Sequence, residues 1–124
     1  MIIGKEVTFE AAHRLTEWPD SKCFNLHGHS WLCEVQLYGL PDRGYVVDFY
    51  EVGKMLKLCV YDRFDHRYLN DVLSTNMPTC EYLVMDVWKK CMDHMFESQV
   101  FAGVQLYRVK IWETVSAYAQ YGGE

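Results

Sequence analysis

Four histidines, one cysteine and two carboxylates, Asp65 and Glu113, stand where they could do chemistry together. His27 and His29 are two residues apart, in Cys23-Phe24-Asn25-Leu26-His27-Gly28-His29. In an extended chain, residues i and i+2 share a face with their backbones roughly 7 Å apart, close enough for two imidazoles to meet one metal ion. His13 closes another extended run, Val7 to His13, in which Val7, Phe9, Ala11 and His13 alternate with Thr8, Glu10 and Ala12. Pairing the two segments antiparallel would bring His13 beside His27 and His29. Three neutral imidazoles leave the fourth tetrahedral position of a zinc ion open, and an open position implies catalysis. An HxH pair alone is weak evidence for a metal, since separate surface or core histidines are common; the third histidine strengthens the case.

Cys23 lies four residues before His27. Two rival roles suit it: a fourth ligand in a closed structural site, or an acid–base group beside an open metal, because a nearby cation favours thiolate. Asp65-His66 has the carboxylate–imidazole order that tunes a histidine for proton transfer, although adjacent residues in a loop can equally be a turn. Glu113 continues the apolar face of Val109 and Ile111 and so aims a carboxylate inward. It could take two parallel hydrogen bonds from an amidine-like ligand edge, as a carboxylate does from arginine. Arg108 and Lys110 alternate to the other face of the same strand, which argues against an internal salt bridge. His94 falls outside the apolar stripe of its helix and reads as solvated.

These residues need elements to position them. After the extended run ending at His13 comes a loop through Trp18-Pro19-Asp20-Ser21, then a second strand with His27, His29, Trp31, Cys33, Val35 and Leu37 on one face. Asp48 with Glu51 signals the start of a first helix whose inward stripe is Phe49, Val52, Leu56 and Cys59 or Val60. The stretch from Asp62 to Asn76 lacks a period and reads as an irregular loop. Pro78-Thr79 caps a second helix with Cys80, Val84, Val87, Trp88, Cys91 and Met95 at spacings of three and four. After Gly103, Tyr107, Val109 and Ile111 mark a third strand. Thr114 to Tyr121 gives a fourth, and Tyr121 to Glu124 reads as a mobile tail. The order strand, strand, helix, helix, strand, strand predicts an α+β domain: a four-stranded antiparallel sheet with both helices on one face. Its open edges invite pairing with further copies.

At 124 residues the chain is expected to be one domain, 1–124, able to bury a core without covalent staples. A formal charge of −5 gives no overall drive toward nucleic acid or anionic membranes. Five scattered cysteines without a CxxC pair, and the lack of any apolar run long enough for a signal peptide or membrane span, point to the reducing cytoplasm.

Six collinear pieces carry a resemblance: Phe9-Glu10-Ala11-Ala12-His13-Arg14-Leu15, Cys23-x3-His27-Gly28-His29-Ser30, Val47-Asp48-Phe49, Phe64 to Asp71, Pro78-Thr79-Cys80-Glu81 and Trp112-Glu113-Thr114. Together they resemble the 6-pyruvoyl-tetrahydropterin synthase family and, within it, the 6-carboxytetrahydropterin synthases of the queuosine (7-deazaguanine) pathway. The three residues between Cys23 and His27 match the latter, whereas the pyruvoyl enzymes usually have a longer spacing. The resemblance implies a tunnelling fold, with sheets joined between subunits into a barrel and trimers stacked as hexamers. It implies Zn2+ on His13, His27 and His29, catalytic roles for Cys23, Asp65 and His66, and substrate binding by Glu113, Thr79 and Glu81. The implied reaction converts the small-molecule pterin 7,8-dihydroneopterin triphosphate to 6-carboxy-5,6,7,8-tetrahydropterin, releasing acetaldehyde and triphosphate. Pyruvoyl-tetrahydropterin synthase activity is the near alternative, and a non-catalytic zinc or purine-binding module the more distant one. Lys22, Arg14 and Arg67 are candidates for meeting the triphosphate. Met77 stands where the family often has asparagine, and Cys80 where it usually has serine; both put substrate preference in question.

Overall fold

The structure, a computed structural model, describes residues 1–124. Two long strands form its centre: β1 (Ile2–His13) and β2 (His27–Tyr38), antiparallel, with Ala11 opposite His29 and His13 opposite His27. β4 (Gln105–Thr114) pairs antiparallel with β2, and β5 (Ala117–Tyr121) with β4. The sheet is five-stranded and mixed, not four-stranded and antiparallel as expected, because a two-residue β3 (Arg67–Tyr68) runs parallel to β1 along its outer edge. Two residues are too few for a period, so this strand left no alternation to read.

Side-chain alternation sorts the sheet into two faces. Phe9, Ala11, His13, Trp31, Cys33, Val35, Leu37, Val109 and Ile111 are buried under the helices, while Thr8, Glu10, Gly28 and Ser30 are exposed on the other side. Phe9 stacks parallel to Trp31 at 5.9 Å and meets Phe64 at 5.4 Å. Burying each such ring contributes about 1.5–3 kcal/mol. One position departs from simple alternation: Gln36 pairs with Arg108 and Leu37 with Leu106, so Tyr107 is the extra residue of a β-bulge. The slip buries Leu106 and turns the expected core residue Tyr107 outward.

Helix α1 (Phe49–Leu56) starts at Asp48, whose side chain accepts the Tyr50 N–H, and continues through a π-helical turn (Lys57–Tyr61) into a last turn, α2 (Asp62–Phe64). Val52, Met55, Leu56, Cys59 and Val60 face the core, but Phe49 is 51 % exposed. Helical side chains lean toward the N-terminus, so a first-turn residue overhangs the capping loop instead of the sheet. Beyond β3, α3 (Leu69–Val72) fills a region expected to be irregular. The long helix α4 (Cys80–Phe96) begins at Thr79, which accepts the Tyr82 N–H at 3.1 Å. It packs across β4 and β5 and buries Cys80, Leu83, Val84, Val87, Cys91 and Met95. His94, expected to be solvated, is half-buried with its ring edge-on to Phe101. The tail also differs from expectation: Glu124 Oε2 accepts the Gly122 N–H at 2.7 Å, and Gly123, at φ +86°, lies against Trp88. No helix is long and apolar enough to cross a membrane.

Candidate metal centre

Antiparallel register puts His13 and His27 directly across from each other, and the two-residue period brings His29 to the same face. Their ligand atoms lie within 4.8 Å of one another, a group that could hold a metal ion. His13 Nδ1 donates to the Pro78 carbonyl at 2.9 Å, and His27 Nδ1 donates to the Asn25 carbonyl at 2.7 Å. A carbonyl only accepts, so each Nδ1 carries hydrogen; in the neutral rings the Nε2 lone pairs then point at each other across 3.0 Å. Two facing lone pairs repel unless a cation lies between them. His29 Nε2 is buried with no hydrogen-bond partner at all. These orphaned nitrogens fit a bound metal.

Burial, opposed only in part by the Pro78 bond and the Glu113 carboxylate, holds the His13 pKa below 6.5, and burial likewise lowers that of His29. Both rings are therefore neutral, as metal ligation requires. The carbonyl partners of His13 and His27 fix their tautomers, a task for which the sequence names no residue. Pro78 immediately precedes the cap of α4, so the start of that helix is tied to the buried histidine.

Cys23 lies in a short 3-10 turn (Lys22–Phe24), half-buried, and its sulfur is outside the converging group. Glu113 is the residue left unpaired where the β4–β5 register shifts between Trp112 and Thr114. The bulge aims its carboxylate toward the histidines, with Oε1 3.5 Å from His13 Nε2 and 3.8 Å from His29 Nε2. Lys110 instead lies over the rings of Trp112 and Tyr118. Cys80 is buried beneath Glu113's strand, donates to the Ile111 carbonyl at 3.0 Å and has its thiol pKa pushed up to about 11 by burial. Thr79 spends its hydroxyl on the helix cap, and Glu81 is exposed in the first turn.

Asp65 and His66 form a dyad of their own. Asp65 Oδ2 accepts from His66 Nδ1 at 2.7 Å while Oδ1 accepts the Glu10 N–H at 3.0 Å. The Glu10 amide, then His66, hold the Asp65 carboxyl below the usual carboxylate range. His66 has φ +58°, a left-handed conformation uncommon for a side-chain-bearing residue, and its ring is 79 % exposed. No hydrogen bond joins this dyad to the three histidines. A basin of about 820 Å³ has His29 and His66 in its lining, with Ser30, Glu10, Arg67 and Arg14, but not His13 or His27. Glu10 and Asn70 are participants not singled out from residue chemistry. Glu10 accepts from Ser30 Oγ at 2.7 Å, and its backbone brackets the dyad. Strand polarity alone marks such residues as solvent-facing.

Fold and donor set define an α+β protein with a three-histidine group that could hold a metal ion at one end of its two longest strands. The family model for 6-pyruvoyl tetrahydropterin synthase matches residues 2–124, and the chain belongs to that family. It is 36 % identical to the 6-carboxy-5,6,7,8-tetrahydropterin synthase of Synechocystis, over 97 % of this chain and 92 % of that one. It is 32 % identical to the 6-pyruvoyl tetrahydrobiopterin synthase of Dictyostelium discoideum, over 100 % and 97 %. The 6-pyruvoyl tetrahydropterin synthase structure of Caenorhabditis elegans superposes with a TM-score of 0.83 at 27 % identity, covering 100 % of this chain and 96 % of that one.

Proposed function

We propose that this protein is a zinc-dependent lyase converting 7,8-dihydroneopterin triphosphate to 6-carboxy-5,6,7,8-tetrahydropterin, with release of acetaldehyde and triphosphate, in queuosine (7-deazaguanine) biosynthesis. The observation that carries it is the convergence of three imidazoles within 4.8 Å, with His13 Nε2 facing His27 Nε2 at 3.0 Å and His29 Nε2 buried without a hydrogen-bond partner. Tetrahedral zinc with Zn–N of 2.0–2.1 Å spaces its nitrogens roughly 3.3 Å apart, within the range of this cluster. His13, His27 and His29 would hold the ion, which when bound polarises substrate oxygens and acidifies the adjoining carbon.

The remaining chemistry falls to the chain's own groups. Cys23, outside the ligand set, moves protons at the substrate side chain, and His66, oriented by Asp65, serves as a second acid–base group. The Glu113 carboxylate accepts the paired N–H edge of the pterin ring; Thr79 and Glu81, together at the start of α4, take part in binding the same substrate. No hydrogen bond joins the dyad to the three histidines within one chain, and the complete site in this reading lies between subunits of a trimeric or hexameric assembly, which also covers the open sheet edges. The whole chain, 1–124, is one such enzyme domain, working in the cytoplasm.

Pyruvoyl-tetrahydropterin synthase activity is the second reading, favoured by the Dictyostelium relative. The three residues between Cys23 and His27 favour the carboxy enzyme. Incubating zinc-loaded protein with 7,8-dihydroneopterin triphosphate and resolving the products separates them: acetaldehyde with the carboxy pterin supports our reading, and pyruvoyl product supports the second. A protein with full zinc and no turnover overturns both.

A further inference from the structure

Immediately after His13, one side chain grips the whole Arg14 peptide. Asn70 Oδ1 accepts the Arg14 N–H at 3.0 Å, and Asn70 Nδ2 donates to the Arg14 carbonyl at 2.9 Å. A carboxamide carries donor and acceptor side by side, as a peptide does, so it pairs with a strand the way a neighbouring strand would. Aspartate could only accept, and alanine could do neither. The same device closes the other end of this edge, where Asp65 Oδ1 takes the Glu10 N–H. Between them, β3 pairs with Ala11 and Ala12. Residues 65–70 thus bind the end of β1 and the residue after it, from Glu10 to Arg14, as one ladder, although only two of them are strand.

The ladder reaches the cysteine turn through Arg14 and its neighbour. Leu15 N–H donates to the Cys23 carbonyl at 2.8 Å. Arg14 Nε donates to the Phe24 carbonyl at 2.9 Å, and the guanidinium lies over the Phe24 ring, 4.9 Å from its centroid. Two consecutive carbonyls of the turn are therefore held by the two residues that follow the buried histidine. The other ties of the turn are local: Cys23 N–H donates to Ser21 Oγ, Phe24 N–H to the Ser21 carbonyl and Asn25 N–H to the Lys22 carbonyl, while His27 Nδ1 holds the Asn25 carbonyl that follows.

We infer that Asn70, acting through Arg14, is a positioning residue that sets the Cys23 thiol relative to His13. This rests on the reading of Cys23 as an acid–base group. It also assigns Arg14 a structural task, with Nε committed to Phe24, in place of direct contact with the triphosphate.

The test uses zinc-loaded Asn70→Ala and Arg14→Lys proteins with three readouts: zinc content, kcat and KM for 7,8-dihydroneopterin triphosphate, and the rate of Cys23 alkylation by iodoacetamide at one fixed pH, with Cys23→Ala as the blank. Arg14→Lys keeps the charge but loses the planar Nε–H and its stacking. Because a misplacement near 1 Å can cost about 100-fold, kcat should fall at least about tenfold in both variants, with KM within about twofold. Zinc should stay bound, and the Cys23 alkylation rate should change by about threefold or more, consistent with altered access to a thiolate or its setting. Asn70→Asp keeps the acceptor for the Arg14 N–H but sets a second oxygen against the Arg14 carbonyl, so kcat should fall at least about tenfold there too. Unchanged kcat and alkylation in Arg14→Lys overturns the inference, and so does a raised KM with unchanged kcat, which would return Arg14 to substrate binding. Should Asn70→Ala fail to fold, Arg14→Lys decides alone, since it leaves the carboxamide clamp in place. If Cys23→Ala keeps full activity, the acid–base reading falls; the alkylation result still reports whether Asn70 and Arg14 position the turn.

Discussion

His13 Nε2 and His27 Nε2 face each other at 3.0 Å with their opposite ring nitrogens each bound to a backbone carbonyl. Neither ring can turn its hydrogen toward the other without breaking its carbonyl bond. The pair is therefore held in the tautomer that binds metal, before any metal arrives. Its position at opposed strand residues means that the register of β1 on β2, set by twelve residue pairs, is also the register of the metal centre.

Removing one ligand should release the metal with little harm to the fold where the ring is least embedded. His29 is the suitable site, being partly exposed and making no hydrogen bond through Nε2. His29→Ala should lower zinc affinity by more than ~100-fold, beyond the loss typical of an outer-shell change. Metal analysis after dialysis, beside a circular dichroism melt, checks this; near-stoichiometric zinc would show that His29 is not a ligand.

Acid should weaken the metal-free protein. His13 and His29 have folded pKa values depressed below 6.5, with burial the leading cause. Below pH 6.5 the unfolded chain takes up protons that the folded chain refuses, so folding stability declines as pH falls from there toward the folded pKa values. Above 6.5 both states are neutral at these rings and the contribution is flat. The urea midpoint of EDTA-treated protein should be lower at pH 5.5 than at pH 7.5. Proton competition for the same nitrogens acts in the same direction on zinc binding. An equal or higher midpoint at pH 5.5 would contradict this linkage.

The dyad can be inverted without dismantling it. In Asp65→Asn the amide oxygen can still accept the Glu10 N–H, but the NH2 then faces His66 Nδ1, which must become an acceptor. The ring proton moves to the other nitrogen, and the imidazole loses its anionic partner. A catalytic dyad predicts a fall in kcat of roughly 10²–10⁴, with thermal stability and zinc nearly unchanged. Activity within twofold of the parent would leave the pair a turn ornament.

The docked tail offers a test outside the site. Gly123 has φ +86°, and a Cβ there would meet Trp88 Cζ2 at 3.0 Å. Gly123→Ala should destabilise the fold by about 1–2 kcal/mol through the left-handed backbone alone. Hydrogen exchange at Gly122 should rise with it, while a wholly unstructured tail would show no change in either.

The sequence made the centre readable where chemistry and periodicity coincide. His27 and His29 share a face by the strand period, and His13 ends a run with the same alternation, so only the pairing remained to be assumed. Glu113 is visible for a related reason, as a carboxylate on an apolar face. Other features depend on tertiary placement. The Pro78 and Asn25 carbonyls carry no side-chain signal, and any residue could supply them. Alternation predicts Tyr107 on the core face, but a bulge opposite Gln36 and Leu37 shifts the pattern by one, and nothing in an isolated strand marks that slip. β3 is held largely by the side chains of Asp65 and Asn70 standing in for backbone, which a search for apolar periods does not find.

Cys23→Ala separates the two roles open to this thiol. The sulfur lies outside the group formed by the three histidines, whose atoms converge without it. A fourth structural ligand would have to join that group, and its loss would weaken zinc binding and the fold together, because structural metal sites contribute folding free energy directly. An acid–base thiol makes the opposite prediction. Zinc stays near one per chain, the melting temperature moves little because the side chain is only half-buried, and kcat falls by about 10²–10⁴. The geometry favours this second outcome. Zinc loss accompanied by a collapsed melting transition would instead make Cys23 a ligand and close the centre.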